Sequence, residues 1–215
     1  MAVDWKHCIH ECLSGTAPSP PDADLMLPGL TAEESRAYRE YFPVHPTPAA
    51  VLIPLIEHET GLSVLLTERA TQLKNHAGQI SFPGGRIEPG DKNAVVAALR
   101  EAREEIGLDP SRVSVAGFLP DHIVISGFRV TPVVGFIAPG FELTLDAREV
   151  AGAFEAPLAH IFDPANHRVN RRRVSWSGKE LDLRDIPYGD RTIWGATAGM
   201  LLTLYRLCSV QQPFR

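Results

Sequence analysis

Asn93-Ala-Val-Val-Ala-Ala-Leu-Arg-Glu-Ala-Arg-Glu-Glu-Ile-Gly107, preceded by Phe82-Pro83-Gly84-Gly85, is the stretch on which the fold turns. It reads as a helix. Asn93 or Asp91 can cap its start, Gly107 sits at its end, and Pro110 prevents continuation. At about 100° per residue, Val95, Leu99, Ala102 and Ile106 share one stripe, which should pack on a sheet. Glu101, Glu104 and Glu105 gather on the other side, within an arc of roughly 100°. Three carboxylates this close repel one another, and the helix dipole disfavours negative charge near a C-terminus. Arg100 and Arg103 compensate in part. Hard divalent cations, which prefer carboxylate oxygen, would do the rest. Taken alone, the cluster suits a solvated, salt-bridged helix face equally well. The preceding turn shifts the balance, because Gly84 and Gly85 permit close backbone approach and a glycine carbonyl could add a metal ligand.

Outward from the helix, Ala49–Ile56 and Ser63–Thr67 are short, apolar and partly β-branched, and read as two strands around a turn. Strands are also expected at Val113–Phe118 and Phe128–Phe136. A hairpin is expected from Arg168 to Leu183 across Ser177-Gly178. Pro157–Phe162 reads as a short helix or turn, and Trp194–Cys208 as a buried or half-buried C-terminal helix. Strands flanking two helices without βαβ alternation predict an α/β fold with a mixed sheet between helical layers. Residues 1–45 read as an N-terminal helical arm and linker. In that arm Trp5, Cys8, Ile9, Cys12 and Leu13 form one apolar helix face ended by Gly15. A second helix should run from Thr31 to about Tyr41, with Glu34 in a capping box.

The chain has 215 residues, 44% of them hydrophobic and 22% charged, which suits one folded domain plus an arm. A net charge of −5 argues against a general nucleic-acid or membrane-surface binder. Cys8, Cys12 and Cys208 are too few for a disulfide framework and fit a reducing compartment. His7, Cys8, His10 and Cys12 lack the second ligand pair a zinc site needs, so the apolar helix face is the better account of them. The longest apolar runs are too short to cross a membrane, and the first residues lack the pattern of a secretory signal, so a cytoplasmic location, or one inside an organelle whose targeting segment is absent here, is expected.

Gly85 followed by Arg100-Glu101-Ala102-Arg103-Glu104-Glu105-Ile106-Gly107-Leu108 resembles the signature box of the Nudix hydrolases. One departure stands out. The usual glutamate between the glycine and Arg-Glu is missing, and the spacing is one residue longer. Asp91 takes that place if the count runs forward from Gly85, Lys92 if it runs back from Arg100; Asp91 with a one-residue insertion is favoured. Leu65-Leu66-Thr67-Glu68-Arg69-Ala70, then Leu73, His76, Gly78, Gln79 and Phe82-Pro83-Gly84-Gly85, is similar to the motif of the coenzyme A pyrophosphatase branch. Ser126–Gly135, Glu149-Val150-Ala151 and Ile193–Ala198 agree with that branch, so the resemblance spans roughly Val51 to Leu204.

The resemblance implies a Nudix-type α/β/α sandwich over residues 46–215. It implies hydrolysis of coenzyme A or a derivative to 3′,5′-ADP and 4′-phosphopantetheine with Mg²⁺ or Mn²⁺. The expected partner is a small-molecule substrate, neither nucleic acid nor membrane; the oligomeric state is open, a homodimer included. Glu101 and Glu105 are expected as the main metal ligands because i,i+4 spacing aims both at one place, with Glu104 and the Gly85 carbonyl as further ligands. Arg100 should orient the carboxylates, and Glu149 is the candidate for a further base or ligand. Arg69 suits a phosphate, with a salt bridge to Glu68 or the box as the competing account; His76 and Gln79 are candidate substrate contacts. Arg171, Arg172 and Arg173 suit a 3′-phosphate less well than a solvated face, and Trp194 suits the core better than an adenine platform. Two other functions compete. One is a Nudix enzyme acting on NADH, a dinucleotide polyphosphate or a nucleoside triphosphate; the other is a non-catalytic binding module with the same fold.

Overall fold

The computed structural model describes residues 3–20, 23, 25–27, 30, 32–36, 38, 43–73, 76–124, 126–173 and 180–210. Its elements in chain order are α1 (Trp5–Leu13), α2 (Ala32–Arg36), β1 (Thr47–His58), β2 (Gly61–Arg69), β3 (Ile80–Ser81), β4 (Gly84–Arg86) and α3 (Ala94–Ile106). There follow β5 (Val113–Phe118), β6 (His122–Ile123), β7 (Phe128–Ile137), β8 (Val150–Pro157), α4 (Leu158–Ile161), β9 (Arg168–Arg173), β10 (Glu180–Tyr188), β11 (Arg191–Ile193) and α5 (Gly195–Val210).

The central sheet is mixed. β1 and β7 run parallel from Thr47↔Phe128 to Ile56↔Ile137, and the other pairings are antiparallel. β1 carries the core, and its two-residue period explains why. Ala49, Ile53 and Leu55 join one cluster, while Ala50, Leu52 and Ile56 join the cluster on the opposite face. A strand covered on both faces must be apolar almost throughout, which is why this segment reads as a continuous hydrophobic run. α3 covers one face; α1, α4 and α5 contribute to the cluster on the other, giving an α/β/α sandwich. β9, β10 and β11 form a separate three-stranded antiparallel sheet whose Ile186 and Ile193 join the α5 side.

Several expectations change. The centre of the α3 interface is Ala94, Ala97, Ala98, Ala102 and Ile106, with Val95 and Leu99 half-buried at its margin. Small alanines let the helix lie close to the sheet, so the packed face is rotated from the stripe that the larger residues suggest. Gly84–Arg86 is a strand rather than only a turn, pairing with Ala49–Val51. β8 is a strand that the sequence does not announce; it pairs with β2 along its length. α1 forms as expected, with Ile9 and Leu13 fully buried. Thr31 and Tyr41, the expected bounds of the second helix, lie outside the described residues, as do Lys74, Asn75, the Ser177-Gly178 turn and the Arg172 side chain. Among the described residues no helix is long and apolar enough to cross a membrane.

Candidate active site

One edge of β1 forks. β7 occupies the other edge along ten residues, while β4 pairs with the start of β1 at Ala49–Val51 and β2 with its end at Leu55–His58. A cavity of about 900 Å³ opens at this fork. Arg69, His76, Gln79, Gly85, Arg100, Glu101, Glu104, Glu105 and Glu149 all line it.

The glycines set how closely α3 approaches. A Cβ on Gly84 would lie 2.6 Å from the Val51 Cα and closer still to the Ala50 carbonyl oxygen, and its φ of 154° already favours glycine. A Cβ on Gly85 would lie 2.5 Å from Glu101 Oε1. The Glu101 carboxylate therefore occupies the space that a side chain at position 85 would need. The Gly84 backbone N–H faces the Glu105 carboxyl and favours its charged form.

The carboxylates are not equivalent. Glu105 is 4% exposed, and its carboxyl is pushed up to about 8, chiefly by burial and then by the charges of Glu101 and Glu149, against opposing pulls from Arg69 and the Gly84 N–H. Glu101 is also raised, by burial first, with Arg100 opposing and Glu104 and Glu149 adding repulsion. Glu104 is the exposed member, its side chain 59% accessible. Glu149 leaves the acidic loop toward this group. Its neighbours Asp146 and Arg148 pair with each other, and its own carbonyl accepts from Ala70 N–H at 2.8 Å, tying the loop to the end of β2.

Arg100 is a clamp. Its Nε and Nη2 donate to the two oxygens of Asp91 at 3.1 and 2.9 Å, Nη2 also to the Arg86 carbonyl at 3.1 Å, and Nη1 to Glu101 at 3.0 Å and Glu104 at 3.1 Å. Asp91, its side chain 4% accessible, also accepts from the Glu88 N–H, and these bonds hold its carboxyl below the usual range. The ambiguity left by the longer spacing is thus resolved: Asp91 supports the loop, and Lys92 is exposed.

Arg69 is half-buried with its Nε unpartnered, and Glu68 lies near Arg191 instead, at 3.9 Å. His76 has a positive φ of 58°, and its Nδ1 lies 2.9 Å from Gln79 Oε1. Trp194, expected in the core, is half-buried and lines the cavity. Arg171 is spent on Asp182 at 2.9 Å, whereas Arg173 lines the cavity. Sequence reasoning passed over Arg86, also on the wall; its position directly after Gly85 was the available signal.

The donor set is chemically suited to a hard divalent cation. It offers the carboxylate oxygens of buried Glu105 and half-buried Glu101, mutually repelled, beside a glycine whose missing side chain leaves room for the Glu101 carboxylate. Among the described residues the acidic groups do not stand as a closed set of three metal ligands; Arg100 bridges Glu101 and Glu104.

The fold and this carboxylate-lined fork define a class, and the comparisons agree with it. Residues 46–175 match the NUDIX domain. The chain is 42% identical over 167 residues to the "Uncharacterized Nudix hydrolase NudL" of Cronobacter sakazakii, a match covering 73% of this chain and 80% of that one. The protein of the same description from Escherichia coli K12 is 40% identical over 166 residues with the same coverage. Among solved structures, the Nudix hydrolase RenU of M. smegmatis shares the fold with a TM-score of 0.53 at 18% identity, over 79% of this chain and 90% of that chain. The chain belongs to the NUDIX family, and it is an enzyme of the family's diphosphatase class. Nudix hydrolases generally use a divalent metal ion.

Proposed function

We propose that this enzyme hydrolyses the diphosphate of coenzyme A or a derivative to 3′,5′-ADP and 4′-phosphopantetheine, using Mg²⁺ or Mn²⁺. The observation that carries the diphosphate chemistry is the convergence of Glu101, Glu105 and Glu149 with Arg69 on one cavity. The choice of coenzyme A rests on the motif from Leu65 to Gly85, whose Arg69, His76 and Gln79 line that cavity. Its volume of about 900 Å³ suits a nucleotide-sized ligand.

In this reading Glu101 and Glu105 hold the metal, with Glu104 and the Gly85 carbonyl as further ligands. A divalent cation held there would supply the charge that polarises the phosphoryl oxygens and acidifies a water. Arg100, fixed by Asp91, orients Glu101 and Glu104. Arg69, on the cavity wall beside Glu105, binds a phosphoryl oxygen through its guanidinium. Glu149 accepts the proton of the attacking water or adds a ligand. His76 and Gln79, bonded to each other, shape the wall against the substrate.

Side-by-side incubation with coenzyme A, NADH and dATP in Mg²⁺ or Mn²⁺, with product identification, tests the substrate. Release of 3′,5′-ADP at the highest kcat/KM is expected; a clear preference for NADH or dATP would sink the coenzyme A assignment. Glu101→Gln should lose most activity while remaining folded. Full activity in that variant would refute the metal assignment, and an inactive wild type on all three substrates would favour a binding module.

A further inference from the structure

Arg86 is unlike the other arginines at the site. Arg100 is saturated by Asp91, Glu101 and Glu104. Arg69 lies close enough to Glu105 to act on its charge. Arg86 is exposed on the cavity wall and, among the described residues, its guanidinium has no carboxylate partner, although Glu88 stands on the same wall.

Its placement is nonetheless fixed. β4 is paired to β1 through Arg86↔Ala49, and the Arg86 carbonyl accepts from Arg100 Nη2 at 3.1 Å. Successive residues of a strand face opposite ways. Gly85 faces Glu101; Arg86 points across the sheet, its guanidinium carbon 5.4 Å from the centre of the Phe128 ring. Phe128 packs with the cluster on the α5 side, away from α3. A guanidinium resting on an aromatic ledge, with its N–H donors unused, is an anion-binding group held in position. It lies on the face of the fork opposite the metal-binding carboxylates.

We propose that Arg86 is a specificity-determining residue that binds a phosphomonoester of the substrate distinct from the diphosphate being cleaved, with Phe128 supporting it. This rests on the coenzyme A reading, in which that group is the ribose 3′-phosphate. The two guanidiniums then serve different ends. Arg69 acts on the reacting diphosphate, and Arg86 selects for a second, remote phosphate.

Steady-state kinetics of wild type, Arg86→Ala and Arg86→Lys on coenzyme A and on 3′-dephospho-coenzyme A test this. One charge-assisted phosphate contact corresponds to about a 10- to 100-fold change in binding. Arg86→Ala should raise KM for coenzyme A by about that factor with kcat nearly unchanged, leave dephospho-coenzyme A unaffected, and be partly rescued by Arg86→Lys. An equal loss on both substrates, or no loss on either, overturns the inference while leaving the coenzyme A reading intact. Failure of wild type to cleave either substrate overturns that reading, and the inference with it.

Discussion

At the scale of single residues the site is organised by what is missing at position 85. Glycine there leaves space for the Glu101 carboxylate, and an alanine Cβ would come within 2.5 Å of Oε1 and 2.6 Å of Cδ. The clash is with the end of a flexible side chain, so the backbone can stay while the glutamate swings away. Gly85→Ala should therefore fold normally and lose about 100-fold or more in kcat, since displacing a catalytic group by about 1 Å costs on that order. Circular dichroism together with initial rates would check this; wild-type activity would show that Glu101 works from another position. Gly84 differs, because its added Cβ would strike β1 backbone at a φ that side chains rarely adopt, and substitution there should damage the fold itself.

At the scale of elements, α3 is defined by its ends. The Asn93 side chain accepts from Val96 N–H at 3.0 Å, and Gly107 closes the helix in the left-handed region at φ 71°. Replacing Asn93 with alanine should cost about 1 kcal/mol, seen as a Tm lower by roughly 2–4 °C with kcat unchanged, because the carboxylates lie two to three turns away. Both ends were legible in the sequence, since caps are local chemistry. The helix face was legible only in part. Residue size pointed to Val95 and Leu99, yet the sheet takes the alanines, because distance of approach, not hydrophobicity alone, decides which stripe is buried. β8 escaped notice for a related reason. Val150–Pro157 has mostly half-buried or exposed positions and is held by its pairing with β2, a long-range contact that no local pattern reports.

At the scale of the whole molecule, a buried histidine makes stability depend on pH. His122 on β6 is fully buried; its Nδ1 lies 2.8 Å from the Pro120 carbonyl oxygen, and its Nε2 lies 3.3 Å from the Thr203 hydroxyl on α5. Burial pushes its pKa from 6.5 down to about 4. The unfolded chain then binds a proton below 6.5 that the folded one refuses until about 4. Stability from this group is complete above 6.5 and falls as the pH drops through that window, by about 3 kcal/mol in all. Urea titrations of wild type and His122→Asn between pH 4 and 7 should give a wild-type-minus-variant stability difference that shrinks as the pH drops from 6.5 toward 4. A difference that stays constant across that range would mean that the folded protein takes up the His122 proton as readily as the unfolded chain. Comparing the two proteins matters because Glu105, raised to about 8, acts with the opposite sign between pH 4.5 and 8.

The sequence by itself determined the helix with its three glutamates, the two glycines before it, the apolar central strand and the family. These are carried by neighbours along the chain: caps, i,i+4 spacing, the two-residue period of a strand covered on both faces, and a box of fixed order. Only the tertiary structure decided how the parts meet. It showed that Asp91 clamps Arg100, that Glu149 turns toward Glu101 and Glu105 from a loop 44 residues beyond Glu105, that Trp194 lines a cavity instead of filling the core, and that Arg86 crosses to the far side of the fork. Each depends on strands pairing across long stretches of chain, and above all on the fork in β1, where β4 and β2 share one edge. Local sequence fixes the groups available to the three glutamates; the pairing of distant strands fixes which of them face the carboxylates.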